Sequence, residues 1–309
     1  QALLACRPAA NSKGHRLPQV ADFLSGDEPP RNDLRLPHTA KITTEPFLKV
    51  QHLSVVYPGR KKIFSKDAPA FKAVDDVSFV IHKNETLGLV GESGCGKTTL
   101  GRALLQLIKP TSGTIELGGK NLATLSPEQL RKNRKDFQIV FQDPYGSLNP
   151  SITIGEAILE PLKVHNLLDN NRQRKEKTMD LLRQVSLQED HYNRYPHQFS
   201  GGQRQRICIA RALALAPSFI VFDESVSALD VSVQASVLNL INDLKDLHQF
   251  TTLFISHDLA VVHYISDRIM VMRQGKIIES GTADKVFNNP KESYTQMLLE
   301  AIPGRSIGH

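Results

Sequence analysis

Residues 91–98, Gly91-Glu92-Ser93-Gly94-Cys95-Gly96-Lys97-Thr98, have the composition of a phosphate cradle. They match the pattern G-x-x-x-x-G-K-S/T. Glycines let the backbone curl until several N–H groups point at phosphate oxygens. A helix opening at Thr98 adds the partial positive charge of its N-terminus. Lys97 can reach the β- and γ-phosphates of a nucleoside triphosphate, and the Thr98 hydroxyl can ligate Mg²⁺. Further on, Phe219-Ile220-Val221-Phe222-Asp223-Glu224 is an apolar run ending in two carboxylates. Asp223 is placed to hold a Mg²⁺ shell and Glu224 to polarise an attacking water. A kinase would satisfy both motifs. Phe199-Ser200-Gly201-Gly202-Gln203 separates the classes, because it precedes a helix with Ile209, Ala212 and Leu213 on its apolar face. Serine, two glycines and a helix N-terminus make a second phosphate cradle that lacks the lysine. A chain with both kinds of cradle can use the second to close over a nucleotide held by another subunit.

These motifs need strands to aim them and helices to carry them. Thr86–Val90 is a short continuous apolar strand, and Leu100, Ala103, Leu104, Leu107 and Ile108 predict a helix over residues 98–108. Strand, glycine loop and helix open a parallel α/β unit. Residues 48–57 and 74–81 alternate apolar with polar side chains and read as half-buried strands. Residues 219–222 and 252–255 read as buried strands, with a helix at residues 231–248 between them. Residues 269–272 and 276–279 flank Gln274-Gly275 and predict a hairpin. Residues 150–197 differ: helices at 154–165 and 172–185, without strand signal, predict an α-helical insert. Prolines 18, 29, 30, 37 and 46 mark residues 9–46 as linker, and a packed domain is expected from Phe47. Residues 58–69 read as a basic surface loop.

The length of 309 residues allows two domains, or one large α/β domain with an insert. No apolar run approaches the ~20 residues needed to cross a bilayer, which excludes a channel or permease acting by itself. Cys6, Cys95 and Cys208 stand far apart, so neither a disulfide framework nor a structural zinc site is expected, and the pattern fits a reducing compartment. A formal charge of +6 does not choose among nucleic acid, phosphate ligands and an anionic membrane. Acids such as Asp136 and Glu176 interleave the basic runs at 131–135 and 172–177, which favours solvated helix faces. Cys208 reads as a small core residue, and Cys95, beside Lys97 and a helix N-terminus, reads either as a reactive thiol or as a filler of a small-residue position.

In their order and spacing these motifs resemble the ATP-binding-cassette family over residues 47 to about 303. By that resemblance, residues 91–98 are the Walker A motif, 219–223 the Walker B motif and 199–203 the signature sequence, with Phe199 where many members have Leu. Gln142 becomes the Q-loop glutamine, Ser227-Ala228-Leu229-Asp230 the D-loop and His257 the switch histidine. Tyr57 fits the aromatic position that stacks on adenine. The implied fold is α/β: a P-loop NTPase core with an antiparallel β subdomain and an α-helical insert at about 142–200. The implied ATP contacts are Tyr57, the loop Gly91, Glu92, Ser93, Gly94, Cys95, Gly96, Lys97, Thr98 and Thr99, then Gln142 and Asp223. Ser200, Gly201, Gly202, Gln203 and Asp230 would act across a dimer. Mg²⁺ would be held by Thr98, Gln142 and Asp223, and catalysis would fall to Glu224, His257 and Gln142.

The run 141–150, Phe-Gln-Asp-Pro-Tyr-Gly-Ser-Leu-Asn-Pro, resembles ATPases of dipeptide, oligopeptide and nickel importers. So do Tyr195-Pro196-His197-Gln198-Phe199, Asp230-Val231-Ser232-Val233-Gln234, and Asn289-Pro290 followed by Tyr294-Thr295. The resemblance implies a peripheral subunit on the cytoplasmic face of the inner membrane. It would pair with a second cassette and drive permease subunits, with a solute-binding protein involved indirectly and no nucleic acid. Import of di- or oligopeptides is the leading expectation, with nickel or another solute, or a soluble non-transport ATPase, as alternatives. Many such importer ATPases carry a C-terminal cysteine cluster; this chain has no cysteine after Cys208, so no iron–sulfur centre is expected. Residues 1–8 and 296–303 share Gln, two leucines and Pro at equal offsets. That repeat, with no initiator Met at Gln1, suggests the end of a preceding cassette, a tether over 9–46 and a tail at 304–309. Residues 1–46 are then expected to pack loosely on the core.

Overall fold

The computed structural model describes residues 6–9, 12–24, 42–59 and 70–302. Residues 60–69 of the loop, residues 10–11 and 25–41 of the linker, the tail at 304–309 and residues 1–5 of the N-terminal repeat lie outside the described residues. In chain order the elements begin with α1 (Val20–Leu24), β1 (Pro46–Tyr57), β2 (Phe71–His82), β3 (Thr86–Val90) and α2 (Lys97–Leu104). β4 (Ser112–Leu117), β5 (Lys120–Asn121), α3 (Pro127–Asn133) and β6 (Phe137–Val140) follow. Then come α4 (Pro144–Ser147), α5 (Ile154–Val164), α6 (Asn171–Gln184) and α7 (Gly201–Leu213). β7 (Phe219–Asp223), α8 (Val231–His248), β8 (Thr251–Ser256) and α9 (Leu259–Ile265) precede β9 (Arg268–Arg273), β10 (Lys276–Thr282), α10 (Ala283–Asn288) and α11 (Ser293–Glu300). They form two compact units. One comprises Arg131–Thr252 with the segment up to Lys41, and the other Ile42–Leu130 with Leu253–His309.

In the unit holding β1, an antiparallel sheet runs in the order β2-β1-β4-β5. The alternation of β1 breaks once. Leu48 and Val50 are buried, then the register shifts at a left-handed His52 (φ 50°), and Leu53 and Val55 are buried in the new phase. A bulge of this kind keeps both apolar sets on the core face. β4, which the sequence reading did not identify, pairs with β1 across the bulge. Its Gly113 (φ 95°) leaves no room for a side chain, because a Cβ there would lie 2.5 Å from the His52 carbonyl.

The same unit carries β10-β9-β3, with β3 parallel to β9 and β9 antiparallel to β10. Every residue of β3 is buried, as its unbroken apolar run requires. Gln274 (φ 48°) and Gly275 (φ 82°) make the two-residue hairpin turn. α2 stops at Leu104, short of the expected Ile108. Gln106 turns left-handed (φ 53°), Gln106 N–H bonds to Ala103 O, and Leu107 N–H reaches back to Arg102 O at 2.9 Å. That closure satisfies the last carbonyls of the helix and leaves Leu107 exposed despite its helical spacing.

In the other unit β6 and β7 pair in parallel, with Val140 opposite Phe222. Residues 141–218 hold helices and, among the described residues, no strand. Thr153 and Glu156 start α5 with a reciprocal capping box. Cys208 on α7 is buried, and that burial pushes its thiol up to about 11. The basic runs face solvent, with Arg172 paired to Glu176 at 2.9 Å.

One expectation fails here. The N-terminal segment is not loosely packed where it is described: Cys6 and Leu17 are buried, and Arg16 forms a two-pronged ion pair with Asp243 of α8. Asn239, a fully buried amide on α8, adds two hydrogen bonds with the Leu17 backbone.

Candidate functional site

The glycine loop leaves the end of β3 and feeds α2. Gly96 is the N-cap of that helix at φ 113°, with no side-chain cap. A Cβ on Gly96 would lie 2.0 Å from Ala73 O, so only glycine fits. Gly94 (φ 80°) faces open space, and Glu92, Ser93 and Gly94 are exposed. An uncapped helix N-terminus behind an open glycine loop presents N–H donors to an anion. Lys97, only 3% exposed, bends back so that Nζ donates to Gly91 O at 2.8 Å and Glu92 O at 2.9 Å.

Residues outside the motif hold this loop. The hairpin turn donates from Gly275 N–H to Cys95 O at 2.9 Å, and Gly275 O accepts from Asp75 N–H at 2.9 Å. Tyr294 of α11 accepts from Glu92 N–H at 3.0 Å. Sequence reasoning gave neither contact; Tyr294-Thr295 stood out only as a subfamily resemblance.

Burial separates the two readings of Cys95. Burial pushes its thiol up and outweighs the opposing pull of Lys97 and the backbone N–H groups. Its Sγ lies beneath the loop, 2.8 Å from where a Cβ on Gly91 would stand. Cys95 thus packs beneath the loop as a small filler, with burial acting against the thiolate.

In the same unit Tyr57 ends β1 with its ring exposed, opposite the exposed Phe71 at the start of β2. His257 is exposed in the turn between β8 and α9. The next residue, Asp258, caps α9 by accepting from Ala260 N–H at 2.9 Å.

The other unit gathers the carboxylates and the lysine-free cradle. Because β6 and β7 are adjacent and parallel, Gln142, Asp223 and Glu224 emerge at one edge. Asp223 is buried, whereas Glu224 sits in the left-handed region (φ 48°). A non-glycine residue held there is strained, a condition that clusters at functional sites. Gln142 is exposed, and its neighbour Asp143 caps α4 through Tyr145 N–H at 2.8 Å. Arg204 of α7 stacks over the Tyr145 ring at 3.6 Å and donates Nε–H to Pro196 O at 2.7 Å. The helix after the second cradle is thereby tied to the Gln142 run.

Ser200 and Gln203 satisfy one another at the start of α7. Gln203 N–H donates to Ser200 Oγ at 3.3 Å, and Ser200 N–H donates to Gln203 Oε1 at 3.1 Å. A Cβ on Gly201 would make only an ordinary contact, 3.8 Å to Leu229 Cδ2, while a Cβ on Gly202 would lie 2.2 Å from Val233 Cγ1 of α8. Asp230, exposed, is the N-cap of α8 without a side-chain cap bond. A cavity of about 470 Å³ borders Ser200, Gly202 and Gln203, with Arg206, Ser232 and Gln19 in its wall.

Tyr57, residues 91–99 and His257 thus share one unit, and Gln142, residues 200–203, Asp223, Glu224 and Asp230 share the other. Among the described residues no cluster of His, Cys, Asp and Glu forms a metal cage, and no helix is long and apolar enough to cross a membrane.

Residues 74–227 match a family model described as ABC transporter. Similar curated proteins include the glutathione import ATP-binding protein GsiA of Salmonella typhi and of Shigella flexneri. Each is 46% identical over 304 residues, covering 98% of this chain and 49% of the relative. The chain spans about half the length of the curated relatives it matches. A solved dimeric ATP-binding cassette in a post-hydrolysis state, bound to ADP and Pi, aligns with TM-score 0.67 at 27% identity, over 76% of this chain and 98% of that one. The cbiO1 protein of Clostridium perfringens, part of the ABC transporter complex cbiONQ, aligns with TM-score 0.68 over 79% of this chain and 92% of that chain. At 24% identity that likeness speaks to the fold alone.

Proposed function

Because the chain carries an ATPase domain of the ABC transporter family, we propose that it hydrolyses Mg–ATP together with a second cassette to power import of short peptides. The observation that carries this reading is the open glycine loop in front of the uncapped α2 N-terminus, with Lys97 bent over it. There the loop N–H groups and Lys97 bind the β- and γ-phosphates, and the exposed Tyr57 ring takes the adenine. The Thr98 hydroxyl and the Asp223 carboxylate, with Gln142, are oxygen donors that suit Mg²⁺. When bound, that ion neutralises charge on the phosphates.

Glu224, at the end of β7, accepts a proton from the attacking water. His257 and Gln142 hold the γ-phosphate. In the partner half of the reaction, Ser200 and Gln203 give up their mutual bonds to receive phosphate from the second cassette, and Asp230 couples the two sites. Closure then drives a permease contacted through Gln142 and the helical residues 142–200, at the cytoplasmic face of the inner membrane. A solute-binding protein delivers the cargo. The relatives' name, a glutathione import ATP-binding protein, favours a short-peptide cargo, since glutathione is itself a tripeptide. Their double length favours a second cassette fused to this one, with residues 9–46 as a tether that docks on α8 at Arg16 and Leu17, and 304–309 as tail. Uptake of labelled glutathione and dipeptides by cells with and without the complete gene tests the cargo. ATP-dependent uptake of neither overturns the peptide assignment.

A further inference from the structure

Tyr294 belongs to α11, far from the glycine loop in sequence. Its side chain is 4% exposed, and its hydroxyl accepts from Glu92 N–H at 3.0 Å. The Glu92 carbonyl accepts from Lys97 Nζ at 2.9 Å. One residue of the loop is therefore held by the phenol at its N–H and by the phosphate-binding lysine at its carbonyl. The phenol is itself fixed, with the Arg273 guanidinium 4.8 Å above its ring. A second anchor, Gly275 N–H to Cys95 O, follows three residues later. Between the anchors Ser93 and Gly94 are exposed, and Gly94 has no heavy atom within 4 Å of its Cβ position. The shape of that open stretch is set from its two ends.

We propose that Tyr294 is a positioning residue of the phosphate loop, its hydroxyl holding the Glu92 peptide in the phosphate-receiving conformation before nucleotide arrives. The inference rests on the nucleotide reading above and adds to it a residue outside the nucleotide-binding motifs. A loop that occupies its competent shape only part of the time binds more weakly by that fraction. Removing the hydroxyl strips the Glu92 N–H of its acceptor and releases one end of the loop.

The test compares wild type with Tyr294→Phe, which keeps the ring against Arg273, and uses Mg–ADP as the probe. Calorimetry on the full chain should show a Kd raised on the order of three- to tenfold in the variant. Amide exchange should quicken at Glu92, while Leu89 in β3 and Met270 in β9 keep wild-type protection. A variant that binds Mg–ADP as tightly as wild type overturns the role of Tyr294, and so does loss of protection spread through β3 and β9. Wild type that fails to bind Mg–ADP overturns the nucleotide reading itself, which is a separate result.

Discussion

Leu17 and Asn239 exchange two hydrogen bonds across 222 positions of chain. Leu17 N–H donates to Asn239 Oδ1 at 3.0 Å, and Asn239 Nδ2 donates to Leu17 O at 2.8 Å. An amide side chain thus supplies the pairing that a neighbouring strand would give an extended segment. Asn239→Leu should leave both Leu17 groups without partners and destabilise the segment by about 1–3 kcal/mol. Limited proteolysis should then cut near residues 12–20 well before the core is attacked. Equal cleavage rates in variant and wild type would show that Asn239 does not hold the segment.

Glu224→Gln should keep Mg–ATP binding and slow hydrolysis by ~10²–10⁴-fold, the usual contribution of a positioned general base. The carboxamide is nearly isosteric but cannot take the proton. The variant should accumulate as a closed, ATP-bound dimer, visible by size-exclusion chromatography with the partner cassette. Turnover near wild type would remove Glu224 from the mechanism.

Lys97→Ala acts on binding instead. It deletes the charge proposed to meet the phosphates and also frees Gly91 O and Glu92 O, which Lys97 now bridges. ATP affinity should fall by at least tenfold, since a charge-assisted bond is worth about 1.5–3 kcal/mol. Titration with a fluorescent ATP analogue measures it, and an unchanged dissociation constant contradicts the assignment.

The buried thiols make a pH prediction. Cys95 is raised by burial, so iodoacetamide at pH 7.5 should modify it more slowly than a free thiol, contrary to a reactive-cysteine reading. Rapid modification at Cys95, mapped by mass spectrometry, would restore that reading. Cys208 is raised from 9.0 to about 11 in the folded chain. The unfolded chain loses this proton first, so the stability linked to Cys208 is complete below pH 9 and is lost as pH rises through about 11. Cys208→Ala should shrink the drop in unfolding free energy between pH 8 and pH 11 by on the order of 2 kcal/mol. An identical drop in both proteins would show that Cys208 does not titrate this way.

Composition and spacing by themselves determined the local units of this protein. Residues 91–98 announce a glycine loop between strand and helix because phosphate chemistry demands those types at that spacing. β3, β7, α8 and the Gln274-Gly275 turn follow from apolar runs, from helical periodicity and from a dipeptide that tolerates positive φ. The two glycine-bearing loops and the pair Asp223 and Glu224 were legible for the same reason: each is contiguous in the chain. Only the tertiary structure decided what depends on distant partners. It ended α2 at Leu104, although Leu107 and Ile108 continue the helical pattern, because Gln106 turned left-handed. It paired β4 with β1 across the bulge at His52, and buried Cys95 where its neighbours in sequence suggested a thiolate. It also joined Leu17 to Asn239 and Glu92 to Tyr294, residues more than 200 positions apart. Periodicity reports which face of one segment avoids water; it carries no record of which remote N–H or carbonyl will complete a buried polar group, and that choice belongs to the packed chain.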